Sequence, residues 1–377
     1  MSVAEGQPLR ILHAVRAPIG GIFRHILDLA NGQAERGHQV GIIADSLTGG
    51  ERADQALADI APRMKLGVHR LGIRREPSPL DVVTWAQFKQ LARRLKPDVL
   101  HGHGAKAGTF FRLRGASNDS IRVYTPHGGS LHYPLSTLKG QVYSRIERAL
   151  MNSTDLFLFE SAFARDTFQR TIGVPRGLVR TVFNGVTAGE FDPVQRADDA
   201  TDVTYVGEFR PIKGADLLID AVARLRADGR NVTLTLGGDR EEMVNLKAQV
   251  SRLDLDEAVR FIGHVKARYG FSKGSLLVVP SRGDSMPYVV IEAAAAGIPM
   301  VAANVGGIPE IFGSHTDALF APNIVAAMAD AIEIALEDRA AALERAKSLR
   351  ERIFLHFSQK AMVEGVLAGY RDAFANR

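Results

Sequence analysis

The sequence predicts an α/β protein made of two Rossmann-like domains. Its 377 residues are too many for one ordinary core and suit two domains of that size. Twice along the chain, a short apolar strand is followed by a glycine-containing loop, a helix and another apolar strand. This order is typical of a doubly wound parallel sheet. A polar stretch at 187–201 separates the two patterns and is predicted to be the linker.

The first pattern starts close to the beginning of the chain. Arg10–Val15 is a predicted strand, and Gly20 and Gly21 form a turn that leads into a helix predicted from Ile22 to Arg36. Val40–Ala44 is the next predicted strand. The turn lacks the G-x-G-x-x-G spacing of dinucleotide-binding loops. We therefore expect either an anion site at the helix N-terminus or a turn that only needs small residues.

Three histidines of the first half are assigned to loops that follow predicted strands. His101 and His103 follow a helix predicted at Asp81–Leu95 and are assigned to a loop at a strand end. Two histidines at i, i+2 suggest a metal, but no third ligand is near them in the sequence, so no metal site is expected. His127 follows another strand end. Strands in this half are predicted at Val123–Thr125, Leu156–Phe159 and Val182–Phe183.

The second pattern carries two cations in its first loop. After a strand at Val203–Val206, the loop contains Arg210 and Lys213 and leads into a helix predicted from Ala215 to Arg226. Fixed cations at such a position stabilise negative charge that develops during a reaction. Further strands are predicted at Val232–Leu236 and Arg260–Gly263, and the D-x-D triplet at 254–256 is assigned to a turn.

The most informative stretch is Leu276–Phe312. It predicts a buried strand, a loop with Asp284, and an apolar helix after Pro287 whose single carboxylate is Glu292. Burying an unpaired carboxylate costs several kcal/mol. Glu292 is therefore expected to bind a ligand in the crevice beyond the strand ends, where open parallel sheets hold ligands.

This stretch resembles the nucleotide-sugar signature of the family 4 glycosyltransferases, which are retaining enzymes of the GT-B fold. The signature is E-x7-E, a helix of small residues and a Gly-x-Pro turn. Here Asp284-x7-Glu292, Gly297-Ile298-Pro299 and the block Gly306–Glu310 match it. One position departs from the pattern, because Asp284 replaces the first Glu and is shorter by one methylene.

The resemblance implies a GT-B architecture, two Rossmann-like domains facing each other across a cleft. An acceptor-binding domain would occupy 1–190 and a nucleotide-sugar-binding domain 191–355, and a helix at 356–377 would cross back to the first domain. Arg210 and Lys213 would clamp the phosphates, although the family more often has the arginine directly after Gly207, where this chain has a glutamate.

Further roles follow from the same resemblance. Glu292 would bind the ribose, Asp284 the donor sugar, His264 and Val265 the base, and His127 would lie near the reacting sugar. The implied catalytic positions are His127, Arg210, Lys213, Asp284 and Glu292. The implied donor-binding positions are Gly20, Gly21, Asn184, Gly207, His264, Val265, Ser285, Met286 and Pro287.

The expected donor is a nucleoside diphosphate sugar, with UDP favoured over GDP, and no further cofactor and no metal are expected. The loops at 101–108 and 125–133 resemble those of bacterial exopolysaccharide and cell-surface polysaccharide transferases. The expected acceptor is therefore a glycan or a polyprenyl-diphosphate-linked intermediate. Without cysteines, a long apolar run or a signal-peptide core, the sequence predicts a cytoplasmic protein.

The charge is unevenly distributed along the chain. Residues 1–190 hold 25 Lys/Arg and 16 Asp/Glu, whereas residues 191–377 hold 22 and 26. A basic first half suits an anionic membrane, a diphosphate acceptor or nucleic acid, and is equally compatible with a solvated surface that is only basic. Weak peripheral contact with an anionic membrane is one expectation. Arg112 and Arg114, after two phenylalanines, and a helix at Leu138–Leu150 are candidates for that contact. The helix places Val142, Ile146, Ala149 and Leu150 on one stripe, with Lys139, Arg145 and Arg148 around it. The same stripe is also compatible with packing into the core.

Three functions other than sugar transfer are alternatives for this sequence. A nucleotide-sugar epimerase or hydrolase of the same fold needs no acceptor, and a non-catalytic nucleotide-sugar-binding protein would have lost the phosphate clamp. The charged loop with Arg210 and Lys213 favours a transferase over both. Nucleic-acid binding is not expected, because the basic residues are scattered and are not interleaved with aromatic residues.

Overall fold

The computed structural model describes residues 7–113, 115, 119–128 and 135–377. The chain divides into two compact units. The first runs to Gly185 and also takes in Gln359–Arg377, and the second is Val186–Ser358. The chain therefore returns to the first unit after completing the second.

The first unit contains a seven-stranded parallel sheet in the order β3-β2-β1-β4-β5-β6-β7. Its strands are β1 Arg10–Val15, β2 Gln39–Asp45, β3 Gly67–Leu71, β4 Val99–His103, β5 Ile121–Thr125, β6 Leu156–Phe159 and β7 Leu178–Thr181. Its helices are α1 Gly20–Glu35, α2 Gly50–Ile60, α3 Asp81–Leu95, α4 Ala105–Arg112, α5 Leu138–Leu150, α6 Ala162–Thr171 and, from the chain end, α14 Gln359–Ala375. Helices on both faces explain the continuous apolar strands, as usual for parallel sheets.

The C-terminal helix α14 completes the core of the first unit. Its buried side chains pack with Ile11 of β1, Leu29 of α1 and Val123 of β5. The contributing residues of α14 are Met362, Val363, Val366, Leu367, Tyr370, Ala373 and Phe374. Burial of each large apolar side chain contributes roughly 1.5–3 kcal/mol. The first unit thus depends on residues at the opposite end of the chain.

The second unit contains a six-stranded parallel sheet in the order β10-β9-β8-β11-β12-β13. Its strands are β8 Thr201–Val206, β9 Leu234–Gly237, β10 Val259–Gly263, β11 Gly274–Val279, β12 Met300–Ala303 and β13 Leu319–Phe320. Its helices are α7 Ala215–Ala227, α8 Met243–Arg252, α9 Ala267–Ser272, α10 Tyr288–Ala295, α11 Ile308–Phe312, α12 Val325–Glu337 and α13 Arg339–His356. Both sheets have the Rossmann strand order, which confirms two Rossmann-like units.

Several local predictions need correction. His101 and His103 lie inside strand β4 and not in a loop after it. Val182–Phe183 is not a strand, because β7 ends at Thr181. Residues 187–201, predicted as a plain linker, include a 3₁₀ turn at Ala188–Phe191 with a capping box. Within the described parts of the chain, none of the helices combines the length and the apolar character needed to span a bilayer.

Candidate active site

The candidate site of the second unit lies where its strand order reverses. Strands β8 and β11 are neighbours, but their onward connections run to opposite edges of the sheet. Such a switch point leaves a crevice at the carboxyl ends of the strands. The loop with Arg210 and Lys213 follows β8, and the loop with Asp284 follows β11. Topology therefore brings together two loops that are about 70 residues apart in the chain.

Lys213 and Asp284 meet directly in this crevice. The Lys213 Nζ lies 2.5 Å from the Asp284 Oδ2, and the Ser281 hydroxyl donates to the same oxygen at 3.3 Å. Both charged side chains are partly buried. The ion pair holds an ammonium group at the strand ends, where an anionic ligand can contact it, and leaves the second carboxylate oxygen for another donor.

Arg282 and Asp216 brace the same two loops, and sequence reasoning missed both. The Arg282 guanidinium donates to both carboxylate oxygens of Asp216, at 2.7 and 2.6 Å, and to the Pro211 carbonyl at 2.6 Å. The Arg282 amide donates to the Ile212 carbonyl at 2.8 Å. A bidentate arginine–carboxylate bond fixes orientation as well as distance. The sequence offered only Asp216 in the first turn of α7, a position that the helix dipole alone explains, so no local signal indicated the pair.

Two glycines allow the backbones to approach closely at this site. Gly214 has φ 72°, and a Cβ there would lie 2.1 Å from the Pro280 carbonyl oxygen. A Cβ on Gly306, at φ 60°, would lie 1.6 Å from the Asp284 carbonyl oxygen. Gly307 donates its amide to that same carbonyl at 3.0 Å. These contacts require glycine at both positions and position the backbone of Asp284.

The Glu292 carboxylate is carried by α10. This helix starts at Tyr288, so Glu292 lies just over one turn into it and is partly buried on an otherwise mostly buried helix. Pro287 is the N-cap, and Met286 and Pro287 are both buried, whereas Ser285 is partly exposed. The helix N-terminus follows Asp284 by a few residues, which favours binding of electron-rich groups there.

The remaining predicted positions of this unit are spread along the strand ends. Gly207 directly follows β8 and donates its amide to Gly237 at 3.0 Å. Arg210 is exposed and lies 3.6 Å from Glu208, so it is not part of the Lys213–Asp284 contact. His264 is exposed and Val265 partly buried after β10, two strands from β8. At about 4.8 Å per strand, the distance from β10 to β11 is about 14 Å.

The predicted positions of the first unit lie around its own switch point, between β1 and β4. Gly20 and Gly21 are exposed at the start of α1, and Gly20 has φ 62°. Asn184 is buried and its Oδ1 bonds the Nδ1 of His25 at 3.0 Å. The ring of His25 lies edge-on to that of His127, with centroids 4.8 Å apart. Asn184 and His127 are therefore linked through a histidine that the sequence analysis did not consider.

Five histidines cluster at this point. His13 on β1 is in register with His101 on β4, and His25, His103 and His127 complete the group. No third ligand lies near His101 and His103 in the sequence, but the fold places further histidines beside them. His13 and His103 are 90 positions apart in the chain, but they meet because β1 and β4 are adjacent parallel strands. A histidine inside the apolar strand Arg10–Val15 was the signal that the sequence offered.

The cluster is connected by hydrogen bonds. His13 bonds Gln33 at 2.8 Å through Nε2 and His103 at 3.0 Å through Nδ1, and His103 Nδ1 lies 3.1 Å from His127 Nε2. His101 bonds the Tyr370 hydroxyl at 2.7 Å and the Thr125 hydroxyl at 2.9 Å. Every one of these contacts is within the first unit, and Tyr370 ties the C-terminal helix α14 to the strand ends.

Burial keeps these imidazoles neutral. It lowers the pKa of His13 and of His25 to about 4, although hydrogen bonds to Gln33 and Asn184 act in the opposite direction. Burial, and then repulsion from neighbouring histidines, holds the pKa of His101, His103 and His127 well below the usual value. Neutral imidazoles have a free nitrogen lone pair that accepts a hydrogen bond or binds a metal ion.

Two Rossmann-like units in one chain are the architecture of the GT-B glycosyltransferases. Residues 19–189 match the family model described as Glycosyltransferase Family 4. Residues 200–338 match the model described as Glycosyl transferases group 1. The chain belongs to these glycosyltransferases and is a transferase.

Relatives and solved structures agree with this assignment. A glycogen synthase of Mycobacterium tuberculosis is 26% identical over 386 aligned positions, which cover 94% of this chain and 92% of the relative. The sucrose-phosphate synthase of Thermosynechococcus elongatus has a TM-score of 0.81 at 22% identity and covers 98% of this chain and 100% of its own. HepE of Anabaena, solved in complex with UDP, has a TM-score of 0.78 at 19% identity with the same coverage. The structural matches establish the fold.

Proposed function

We propose that this enzyme transfers a sugar, with retention of anomeric configuration, from a nucleoside diphosphate sugar to a glycan or lipid-linked acceptor in bacterial surface polysaccharide synthesis. The observation that carries the proposal is the Lys213–Asp284 pair, 2.5 Å apart at a Rossmann switch point. A cation at this point meets the diphosphate, and the adjacent carboxylate meets the sugar hydroxyls. UDP is the favoured nucleotide, and UDP-glucose complexes of HepE of Anabaena support that choice.

In the proposed reaction, the bond between the sugar C1 and the diphosphate oxygen breaks, the acceptor hydroxyl oxygen bonds to C1, and the hydroxyl proton leaves with the diphosphate. Negative charge grows on the departing diphosphate, and Lys213 and Arg210 stabilise it electrostatically. Asp284 loses part of its contact with Lys213 and accepts hydrogen bonds from the sugar. Glu292 binds the ribose, and His264 with Val265 borders the base. The spread of these positions over about 14 Å suits an extended ligand.

The bracing by Arg282 and Asp216 supplies the rigidity that this reaction needs. Charge stabilisation is effective only if the charged groups are already in place when the bond breaks. The bidentate bond between the two side chains connects the loop with Lys213 to the loop with Asp284. We assign Arg282 as a positioning residue that acts through these loops.

Transfer is tested with radiolabelled UDP-sugars in the presence and absence of a bacterial lipid extract. Lipid- or glycan-dependent incorporation of label supports the proposal. Isomerised sugar without an acceptor would indicate an epimerase, free sugar a hydrolase, and binding without turnover a non-catalytic protein. The anomeric proton coupling of the product, measured by NMR, distinguishes retention from inversion.

We further propose that α5 docks the enzyme on the inner face of an anionic membrane. Helix α5 is oriented in an unusual way, because its polar residues Ser144 and Glu147 are buried while Leu138, Val142 and Ile146 are exposed. Leu138 is 76% exposed. An exposed apolar stripe on a helix that also carries basic residues is typical of interfacial helices.

The buried ion pair explains the orientation of α5. The Arg112 guanidinium donates to the Glu147 Oε2 at 2.7 Å, and the Tyr124 hydroxyl donates to the Oε1 at 2.7 Å. This anchoring turns Glu147 inward and Leu138, Val142 and Ile146 outward. Leu150, which was predicted to share the stripe, is buried. The anchoring also corrects the expectation that Arg112 contacts lipid, because its side chain is fully buried. Arg114 lies outside the described residues.

Vesicle co-sedimentation tests the docking proposal. Binding should rise with anionic lipid content, fall with salt, and weaken in Arg145→Glu and Leu138→Ser variants. Arg148 is avoided because it donates to the Ile172 carbonyl at 2.7 Å. Arg252→Glu is the matched control, since it makes the same charge change at an exposed position of the second unit. Equal loss in the control, or equal binding to neutral vesicles, would contradict docking through α5.

A further inference from the structure

We propose that His25, His103 and His127 form a binding site for a transition-metal ion such as Zn²⁺. One nitrogen from each ring lies within 4.8 Å of the other two. Imidazole ligands without carboxylates select Zn²⁺, Cu²⁺ or Ni²⁺ over Mg²⁺ and Ca²⁺. This site is separate from the cation–carboxylate pair of the second unit and does not depend on the proposed transfer reaction.

The ligand geometry needs little change. Zinc–nitrogen bonds of 2.0–2.1 Å in a tetrahedron place ligand nitrogens about 3.3 Å apart. His103 Nδ1 and His127 Nε2 are already 3.1 Å apart. His25 lies beside both, with ring centroids 5.6 Å from His103 and 4.8 Å from His127. Small rotations of the three side chains bring their nitrogens to the required separation, and a three-histidine set leaves one position of a tetrahedral ion for a further ligand.

Outer hydrogen bonds orient two of the three rings for this role. Metal-binding histidines usually donate their other ring N–H to an acceptor. His25 does so through Nδ1 to the Asn184 Oδ1, which leaves Nε2 as the ligand atom. Gln33 accepts from His13, so His13 Nδ1 accepts from His103 Nε2, which leaves the His103 Nδ1 lone pair for the ion. The tautomers follow from this chain of bonds.

A second triplet, His13, His101 and His103, satisfies the same distance limit but suits a metal less well. His13 uses both nitrogens for bonds to Gln33 and His103, and His101 uses both for Tyr370 and Thr125. A metal there would break several buried hydrogen bonds, each costly to lose. The three rings are also fully enclosed, whereas the partly exposed His127 gives the outer triplet a path to solvent.

Metal titration of the untagged full-length chain tests the site. After treatment with EDTA and its removal, calorimetry with Zn²⁺ should show one ion per chain, and Co²⁺ should give the intense visible absorption of a tetrahedral complex. His103→Ala and His127→Ala should abolish high-affinity binding. Asn184→Ala should weaken it by roughly 10- to 100-fold, as for other outer partners of metal ligands. The absence of cysteine excludes thiolate ligands from the signal.

Two controls make the result decisive. His356→Ala removes an exposed histidine of the second unit and should leave binding unchanged. His101→Ala should leave the stoichiometry at one ion per chain. Loss of binding in His101→Ala with retention in His25→Ala would assign the metal to the enclosed triplet and overturn the proposal. A native-like circular dichroism spectrum with no saturable Zn²⁺ binding would also overturn it.

Discussion

Replacing Glu147 by Gln should destabilise the first unit by roughly 3–5 kcal/mol, the usual cost of breaking a buried ion pair. The side chains of Arg112 and Glu147 are 0% and 3% exposed and lie 2.7 Å apart. The Arg112 guanidinium also lies over the Tyr124 ring, 3.6 Å from its centroid. Gln keeps the shape of the glutamate and loses its charge, so the cation remains buried without a counter-charge.

The single tryptophan allows this loss to be measured in one unit. Trp85 lies on α3 and packs against the core of the first unit, so its fluorescence during urea denaturation reports on that unit. For a unit of about 200 residues, a loss of that size lowers the melting temperature by roughly 10 °C. The urea concentration at the denaturation midpoint should therefore fall clearly. An unchanged slope of the unfolding free energy against urea concentration would indicate that the same surface is exposed on unfolding.

Two further variants decide whether the charge is the cause. An Arg112→Met, Glu147→Leu double variant removes both charges and should regain most of the lost stability, because apolar replacements of buried pairs are often neutral. Lys139 lies on α5, as Glu147 does, and forms an exposed ion pair with Glu76. Glu76→Gln removes the charge of that partner and should leave the denaturation midpoint unchanged. A loss below about 1 kcal/mol in the single variant, or a double variant no better than the single one, would refute the reasoning.

Three other outcomes are expected. Lys213→Ala should lower kcat by at least about 100-fold in the sugar-transfer assay without changing the circular dichroism spectrum, and near-normal turnover would contradict its role. Arg282→Lys should lower kcat by about tenfold, since lysine cannot reproduce the bidentate bond to Asp216; equal loss of stability and activity would instead indicate a merely structural bond. Transfer should persist in EDTA, because stabilisation of the departing diphosphate is assigned to Lys213 and Arg210 and not to a metal ion. Loss in EDTA that Mg²⁺ restores would contradict metal-independent charge stabilisation.

The fold could be predicted well from the sequence because parallel strands have a strong local signal. Arg10–Val15, Leu156–Phe159 and the helix Asp81–Leu95 were predicted with the bounds that the structure shows. Leu156–Phe159 is a continuous apolar run, Arg10–Val15 is mostly apolar, and Asp81–Leu95 is a segment closed by Pro97. Burial on both sheet faces favours apolar strands. An error arose at the carboxyl end of β4, where His101, Gly102 and His103 continue the strand although their residue types are typical of a loop.

The site could be predicted only in part, because its contacts depend on strand order. The sequence identifies Lys213 and Asp284 as charged loop residues, but their contact depends on β8 and β11 being neighbours. The bond between Arg282 and Asp216 has the same origin. The histidine cluster joins residues from β1, α1 and β4 and the position after β5, and spacing rules for metal motifs do not detect such a set. Long-range pairing, not local propensity, determines these contacts.

The position of α14 has a consequence for biosynthesis. The second unit ends at Ser358, so all of its strands have been synthesised before Gln359–Ala375 emerges from the ribosome. The first unit, although translated first, lacks one covering helix until the second unit has been synthesised. Domains generally fold in order of synthesis, N-terminal first. Here we expect that order to be reversed, with the apolar sheet face around Ile11 and Val123 exposed to chaperones until α14 has been synthesised.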